Sequence, residues 1–244
     1  MKRLDVYLAE NGLCESRSKA QDLIKGGKVS VNGKPADKPS IQIEDTDSVS
    51  IDNEGVCPYV SRGGLKLKGA LDSFKFDPKD LVCIDIGAST GGFTDCLLKH
   101  GAKRVYAVDS GSSQLHASLK QDDRVISLEN TNARYLTDSD FREKMDLAVM
   151  DVSFISQTKL YPAVASVLNE GGTLISLIKP QFEVGRDGIG KGGIVKDEKL
   201  RRNAVEGVIS VAKTFGLENE GLIISPIKGG DGNTEYMAIF RFRK

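Results

Sequence analysis

Residues 81–95 read LVCIDIGASTGGFTD. An apolar run closes on Asp85 and Ile86, a glycine-rich turn fills 87–92, and the helix-like pattern Phe93, Cys96, Leu97, Leu98 follows at once. Strand, tight turn and helix N-terminus in that order predict the carboxyl edge of a parallel sheet, where such an arrangement holds nucleotide-like ligands. The glycines are not spaced as G-x-G-x-x-G and no P-loop lysine comes after them, so a phosphate-binding site is disfavoured. An acidic residue next to a glycine turn suits a cofactor with an ammonium group and no phosphate. S-adenosyl-L-methionine meets that description, with Asp85, Gly87, Ser89, Gly91, Gly92, Phe93 and, from a later strand, Asp151 as the expected contacts. A glycine-rich turn that serves packing alone is the plain alternative.

Downstream, strands and helices alternate. Strands are expected at 104–109, 124–129, 146–151 and 172–179, with helices over 157–168 and 196–215. Two last strands, 222–224 and 236–242, have no helix between them, which implies an antiparallel final strand. The expected fold is therefore α/β: a Rossmann-like, seven-stranded, mostly parallel sheet covered on both faces. Asp109 closes the second strand 24 residues after Asp85, where an acid accepts hydrogen bonds from the ribose hydroxyls of an adenosine cofactor. Asn132, after the third strand, is placed for an adenine edge or is a turn residue only. Asp151 and Lys179 end parallel strands and Glu235 begins the antiparallel one, so the topology brings all three to one rim. A lysine closing an apolar strand needs a neighbouring carboxylate. An Asp151–Lys179 salt bridge of purely structural purpose satisfies that need as well. Residues 184–193 hold five glycines in ten, read as a mobile lid or as a disordered crossover.

Upstream, Leu4, Tyr7 and Leu8 mark a short helix, and Ser16 caps a second one with Ala20, Leu23 and Ile24 inside. Val29 to Val31 alternates as a strand, Asn32-Gly33 is a hairpin turn, and 49–51 reads as the returning strand. Arg17, Lys19, Lys25 and Lys28 cluster on and after the second helix, which fits a solvated face or a polyanion site. Residues 1–38 carry eight Lys/Arg against five Asp/Glu, whereas 39–57 carry five acids and no base. The pattern RLDVYLAENGLCESRSKAQDLIKGGKVSVNGK, opening on Arg3, resembles the small α+β RNA-binding domain of the ribosomal protein S-four type. That resemblance implies contacts from Arg3, Arg17, Lys19, Lys25 and Lys28 to RNA phosphates. A domain boundary is expected near residue 55, dividing 1–55 from 56–244 with a linker over about 53–60.

Bulk properties exclude several classes. The 34 Lys plus Arg balance 34 Asp plus Glu, so net charge by itself names no partner. Four scattered cysteines form no C-x-x-C pair, which leaves reduced thiols and no metal site. The N-terminus lacks a signal peptide's apolar core, and no stretch approaches about 18 apolar residues, so no membrane association and a cytoplasmic location are expected.

YVSRGGLKL, DIGASTGGFTD, AVMDVSFIS, IKPQFEVG and SPIKGGDGNTEY are similar to the TlyA family. These are two-domain ribosomal-RNA 2'-O-methyltransferases with an FtsJ-like catalytic part. The resemblance spans residues 3–242 and implies a Lys-Asp-Lys-Glu tetrad at Lys66, Asp151, Lys179 and Glu235, within which Lys179 is the candidate base on chemical grounds. It further implies S-adenosyl-L-methionine as methyl donor, an RNA contact at Arg62, ribosomal RNA or ribosomal subunits as partner, and cytidine as the acceptor. Methylation of a different acceptor atom is the rival reading, although the Asn/Asp-Pro-Pro-Tyr turn common to base methylation is missing after Asp151. Some family members are named haemolysins, but the chain shows no pore-forming segment. Oligomeric state is not legible.

Overall fold

The computed structural model describes residues 2–11, 13–14, 16–44, 46–51, 57–185 and 188–244. Half of the expected linker, residues 53–56, lies outside the described residues. The chain separates into two compact units, Met1–Val56 and Cys57–Lys244.

The first unit contains β1 (Lys2–Arg3), α1 (Leu4–Glu10), α2 (Arg17–Lys25), β2 (Val29–Val31), β3 (Lys34–Pro35), β4 (Gln42–Ile43) and β5 (Val49–Ile51). The Ser16 hydroxyl accepts from Lys19 N at 3.2 Å, which satisfies one of the orphan donors of α2. Leu4, Leu8, Ala20, Ile24, Val29, Ala36 and Ile43 form its core. The Asn32-Gly33 turn returns into β3, pairing Val31 with Lys34, while β5 joins the other edge of β2. The expected partnership of turn and 49–51 is thereby corrected: a two-residue loop with φ of 51° and 75° ties residue 31 to residue 34. Asn32 still reaches the residues just before β5, donating to Asp47 Oδ1 at 2.8 Å and accepting from Ser48 N at 2.9 Å.

The second unit opens with α3 (Gly63–Phe74) and continues through β6 (Val82–Ile86), α4 (Gly92–Lys99), β7 (Arg104–Val108), α5 (Ala117–Lys120), β8 (Val125–Leu128) and β9 (Met145–Met150). Next come α6 (Tyr161–Val167), β10 (Leu168–Ile178), α7 (Pro180–Glu183), α8 (Glu198–Thr214), β11 (Leu217–Ile224) and β12 (Tyr236–Phe242). The sheet runs β11-β12-β10-β9-β6-β7-β8. Neighbours from β10 through β8 are parallel, and β12 is antiparallel to both β10 and β11. All five residues of β6 are buried, as expected of a central parallel strand covered on both faces. Cys83, Leu147, Val149 and Ile175 face the layer of α3 and α4, whereas Ile84, Ala148, Met150 and Leu174 face that of α6 and α8.

Three expected elements shift. The helix read over 157–168 begins as a 3-10 turn, Gln157–Leu160, and yields Leu168 to the next strand. The long helix starts at Glu198 because the Asp197 carboxylate caps it, accepting from Lys199 N at 2.8 Å. β11 extends five residues earlier than its apolar run, since LENEG lies on a sheet edge where charged side chains meet water.

Candidate active site

The carboxyl ends of β6, β7, β9 and β10 and the start of β12 meet along one rim. Gly87 leaves β6 with φ 84°, and a Cβ there would lie 2.5 Å from the Asp151 carbonyl oxygen. The β6 and β9 termini therefore approach as closely as only glycine permits. At Gly92, the first residue of α4, a Cβ would lie 2.3 Å from Ser61 Oγ, so the segment leading into α3 presses on the start of α4. Asp95 fixes that contact by accepting from Val60 N at 2.8 Å.

Asp85 sits inside rather than on the rim, with no exposed surface. Its Oδ2 accepts from Thr94 N at 2.9 Å and Thr94 Oγ1 at 2.7 Å, and its Oδ1 is buried without a partner among the described residues. Burial pushes its carboxyl up to about 7, against the Thr94 bonds and helped by Asp151. Asp109 stands at the end of β7, where Oδ2 accepts from Ser89 N at 2.8 Å and Oδ1 from Gly111 N at 2.7 Å. Each oxygen keeps a lone pair for a further donor. The Asn132 carbonyl oxygen accepts from Arg134 N at 3.1 Å, leaving its amide donors for a ligand.

A cavity of about 520 Å³ is lined by Gly87, Ser89, Asp109, Asn132, Asp151 and Phe154, among others. Its volume and mixed lining suit an adenosine-sized ligand. The donor set fits S-adenosyl-L-methionine: Asp109 for ribose hydroxyls, Asn132 for the base, and the unpartnered Asp85 oxygen behind the glycine turn for an ammonium group, directly or through water. A second cavity of about 320 Å³ shares Gly87, Ser89 and Asp151 with the first, and adds Arg62, Lys66, Gly92, Phe93 and Lys179 to its walls. A third, about 310 Å³, is lined by Lys66, Ser153, Lys179, Gln181 and Glu235. The three are contiguous through shared residues.

Two ion pairs flank this space. Lys66 Nζ donates to Glu235 Oε2 at 2.7 Å, with side-chain exposures of only 11% and 3%. Lys179 Nζ lies 2.5 Å from Asp151 Oδ1, a contact too skewed for a directed hydrogen bond, while its directed bond goes to Ser153 Oγ at 2.8 Å. Gln181 Nε2 donates to Glu235 Oε1 at 3.3 Å. Lys66 reaches this position because Leu67, Ala70 and Leu71 bury the adjoining face of α3.

The structure thus brings Lys66, Asp151, Lys179 and Glu235 to one group of cavities. Gly87, Ser89, Gly92, Phe93, Asp109 and Asn132 line them as well, and Asp85 lies beneath. Gly91, at φ 94°, packs against α5 instead, since a Cβ there would lie 2.2 Å from Leu119 Cδ1. Sequence reasoning missed Ser153, Gln181 and Thr94, whose roles depend on side-chain reach that periodicity does not encode. Phe154 was missed too; it is 92% exposed at φ 63°, a strained conformation beside a functional cleft. In the first unit Arg3 and Arg17 are gathered on Asp5, and Lys19 and Lys25 are exposed on α2.

Residues 59–242 match the FtsJ-like methyltransferase family, and residues 2–49 match the S4 domain. The chain is 42% identical to the 16S/23S rRNA (cytidine-2'-O)-methyltransferase TlyA of Mycobacterium tuberculosis, over 98% of this chain and 89% of that protein. It is 46% identical to Hemolysin A of Brachyspira hyodysenteriae, over 98% and 99% respectively. A solved structure from Streptococcus thermophilus, also under a hemolysin name, superposes with a TM-score of 0.78 at 44% identity, covering all of this chain and 89% of that one. Among the described residues, no helix is long and apolar enough to cross a membrane.

Proposed function

The chain belongs to the TlyA family of FtsJ-like methyltransferases with an N-terminal S4 domain, and on that premise we propose that it methylates the ribose 2'-hydroxyl of cytidine in ribosomal RNA. The observation that carries this reading is the pair of ion pairs, Lys66–Glu235 and Lys179–Asp151, on the walls of contiguous cavities beside the glycine turn. S-adenosyl-L-methionine, when bound, supplies an electrophilic methyl group. Asp85, Gly87, Ser89, Asp109 and Asn132 hold it, and Phe93 and Gly92 shape the opening toward the acceptor.

A ribose hydroxyl is a poor nucleophile, so the protein has to align it and take its proton. Lys179 Nζ receives that proton on its lone pair, as the neutral amine that has already released its own proton. Ser153 fixes one direction around the nitrogen by its hydrogen bond, and Asp151 holds the nitrogen close by charge, on the wall of the cavity. Lys66, held by Glu235, orients the hydroxyl, and Gln181 holds Glu235 in turn. Residues 1–55 act as the RNA-binding domain and 56–244 as the catalytic domain, a division of labour suited to a cytoplasmic enzyme of ribosomal RNA. Arg3, Arg17, Lys19, Lys25, Lys28 and Arg62 contact phosphates.

The test uses ribosomal RNA from cells lacking the gene, incubated with purified protein and methyl-labelled cofactor, then digested to nucleosides. Label in 2'-O-methylcytidine is the expected result. Label in a base-methylated nucleoside shows a different acceptor atom.

A further inference from the structure

Asp5 is fully buried within the first unit, and five donors converge on it. Oδ1 accepts from Arg3 Nε at 3.0 Å and from Val6 N at 3.1 Å. Oδ2 accepts from Arg3 Nη2 at 3.1 Å, Arg17 Nε at 2.9 Å and Gln21 Nε2 at 2.8 Å. These donors come from three places: β1, the start of α1, and the first two turns of α2. The two arginine side chains are nonetheless 41% and 56% exposed. Among the described residues neither Nη of Arg17 nor Nη1 of Arg3 has a partner, so these forks present donors outward from a fixed base. The hydrogen bond from Arg3 holds the Asp5 carboxyl well below the usual carboxylate range, overriding burial. Two guanidinium charges against one carboxylate leave the cluster with one net positive charge, which matches a phosphodiester.

We propose that Asp5 is a positioning residue for RNA, fixing Arg3 and Arg17 as a two-guanidinium clamp on one backbone phosphate. This rests on the reading that the first unit contacts RNA. Planar guanidinium forks recognise phosphate by geometry as well as charge, and a fork already immobilised loses less freedom on binding than a mobile one. The proposal makes a prediction whose sign opposes simple electrostatics. Removing a negative charge beside a polyanion site strengthens binding if charge alone matters. Removing the carboxylate that orders both arginines weakens it.

The experiment measures binding of the full-length protein to ribosomal RNA from cells lacking the gene, at fixed salt, for Arg3→Ala, Arg17→Ala, Arg17→Lys, Asp5→Asn and the double variant Asp5→Asn with Arg17→Lys. Both alanine variants are expected to weaken binding; if neither does, the RNA-contact reading itself fails. Asp5→Asn is expected to lower affinity about tenfold, with the loss in the KM for RNA rather than in kcat. Arg17→Lys, which keeps the charge but not the fork, is expected to fall with Arg17→Ala, and the double variant to be little worse than either single one. Affinity that rises or stays level in Asp5→Asn, wild-type binding by Arg17→Lys, or fully additive losses would each overturn the clamp while leaving the RNA-contact reading intact. Should Asp5→Asn not fold, the comparison of Arg17→Lys with Arg17→Ala decides alone.

Discussion

A carboxyl group sealed beneath a sheet is costly in its charged form, and Asp85 shows the consequence. Its folded value of about 7 lies above the unfolded value near 4. Between the two, the folded chain keeps a proton that the unfolded chain has released, so this group's contribution to stability falls as pH rises through that window. Asp85→Asn removes the buried charge and keeps an acceptor for Thr94. It is expected to raise the melting temperature more at pH 8 than at pH 5, while weakening cofactor binding. Equal shifts in thermal melts at the two pH values would contradict the burial argument. The Lys66–Glu235 pair responds differently. Lys66→Met strands a glutamate that is 3% exposed, and is expected to cost about 3–5 kcal/mol in denaturant unfolding. Replacing both partners with apolar residues is expected to recover much of that loss. Lys179→Ala, by contrast, is expected to lower turnover by about 100- to 10,000-fold, with cofactor affinity in calorimetry largely kept.

Elements, and not only residues, hold the rim together. Glu183, at the end of α7, accepts from Ser156 Oγ at 2.6 Å and from Gln157 N at 2.9 Å. It thereby ties the loop after β9, which carries Ser153 and Phe154, to the turn after β10, which carries Lys179. Burial raises the Glu183 carboxyl above its ordinary range, with the Ser156 bond opposing. Glu183→Ala is expected to free the 151–157 loop and reduce kcat several-fold with little change in the KM for the cofactor. Steady-state kinetics with each substrate varied in turn separates these effects; an unchanged kcat would show that the loop holds without this tie. Asn233 plays a comparable part, accepting from Val195 N at 3.0 Å and donating to Gly193 O at 2.9 Å. These bonds tie the C-terminal end of the glycine-rich segment to the residues just before β12.

Across the whole molecule, what the sequence reveals depends on how far the interactions reach. Periodicity alone exposes the alternating strands and helices, because β6, β9 and β10 are buried on both faces and leave unbroken apolar runs. The antiparallel end follows from two strands with no helix between them. From that topology Asp151, Lys179 and Glu235 come to one rim without any fold-specific knowledge. Lys66 does not: a lysine on an amphipathic helix looks solvent-facing until the packing of α3 is known, and only family resemblance singles it out. The two-residue strands β1 and β4 carry too few residues for any period to register. Ser153 and Gln181 depend on interactions between segments far apart in sequence, and the Asp5 cluster on side chains from three separate elements. The charge imbalance of residues 1–38 also acts at this scale. Substituting alanine for any one Lys or Arg of that unit proposed to contact phosphate is expected to lower the slope of log affinity against log salt by about 1, read from binding titrations at several salt concentrations.

The proposed ribose chemistry leaves a direct mark, since a methylated 2'-oxygen cannot attack the neighbouring phosphodiester and that linkage resists alkali. The decisive measurement is a nucleotide-resolution alkaline cleavage map of ribosomal RNA from cells carrying the intact gene or its Lys179→Ala variant. The expected result is protection 3' of at least one cytidine in the first map and cleavage there in the second. Protection identical in both, or no protected cytidine that depends on the gene, would contradict a ribose 2'-O-methyltransferase built on these four side chains.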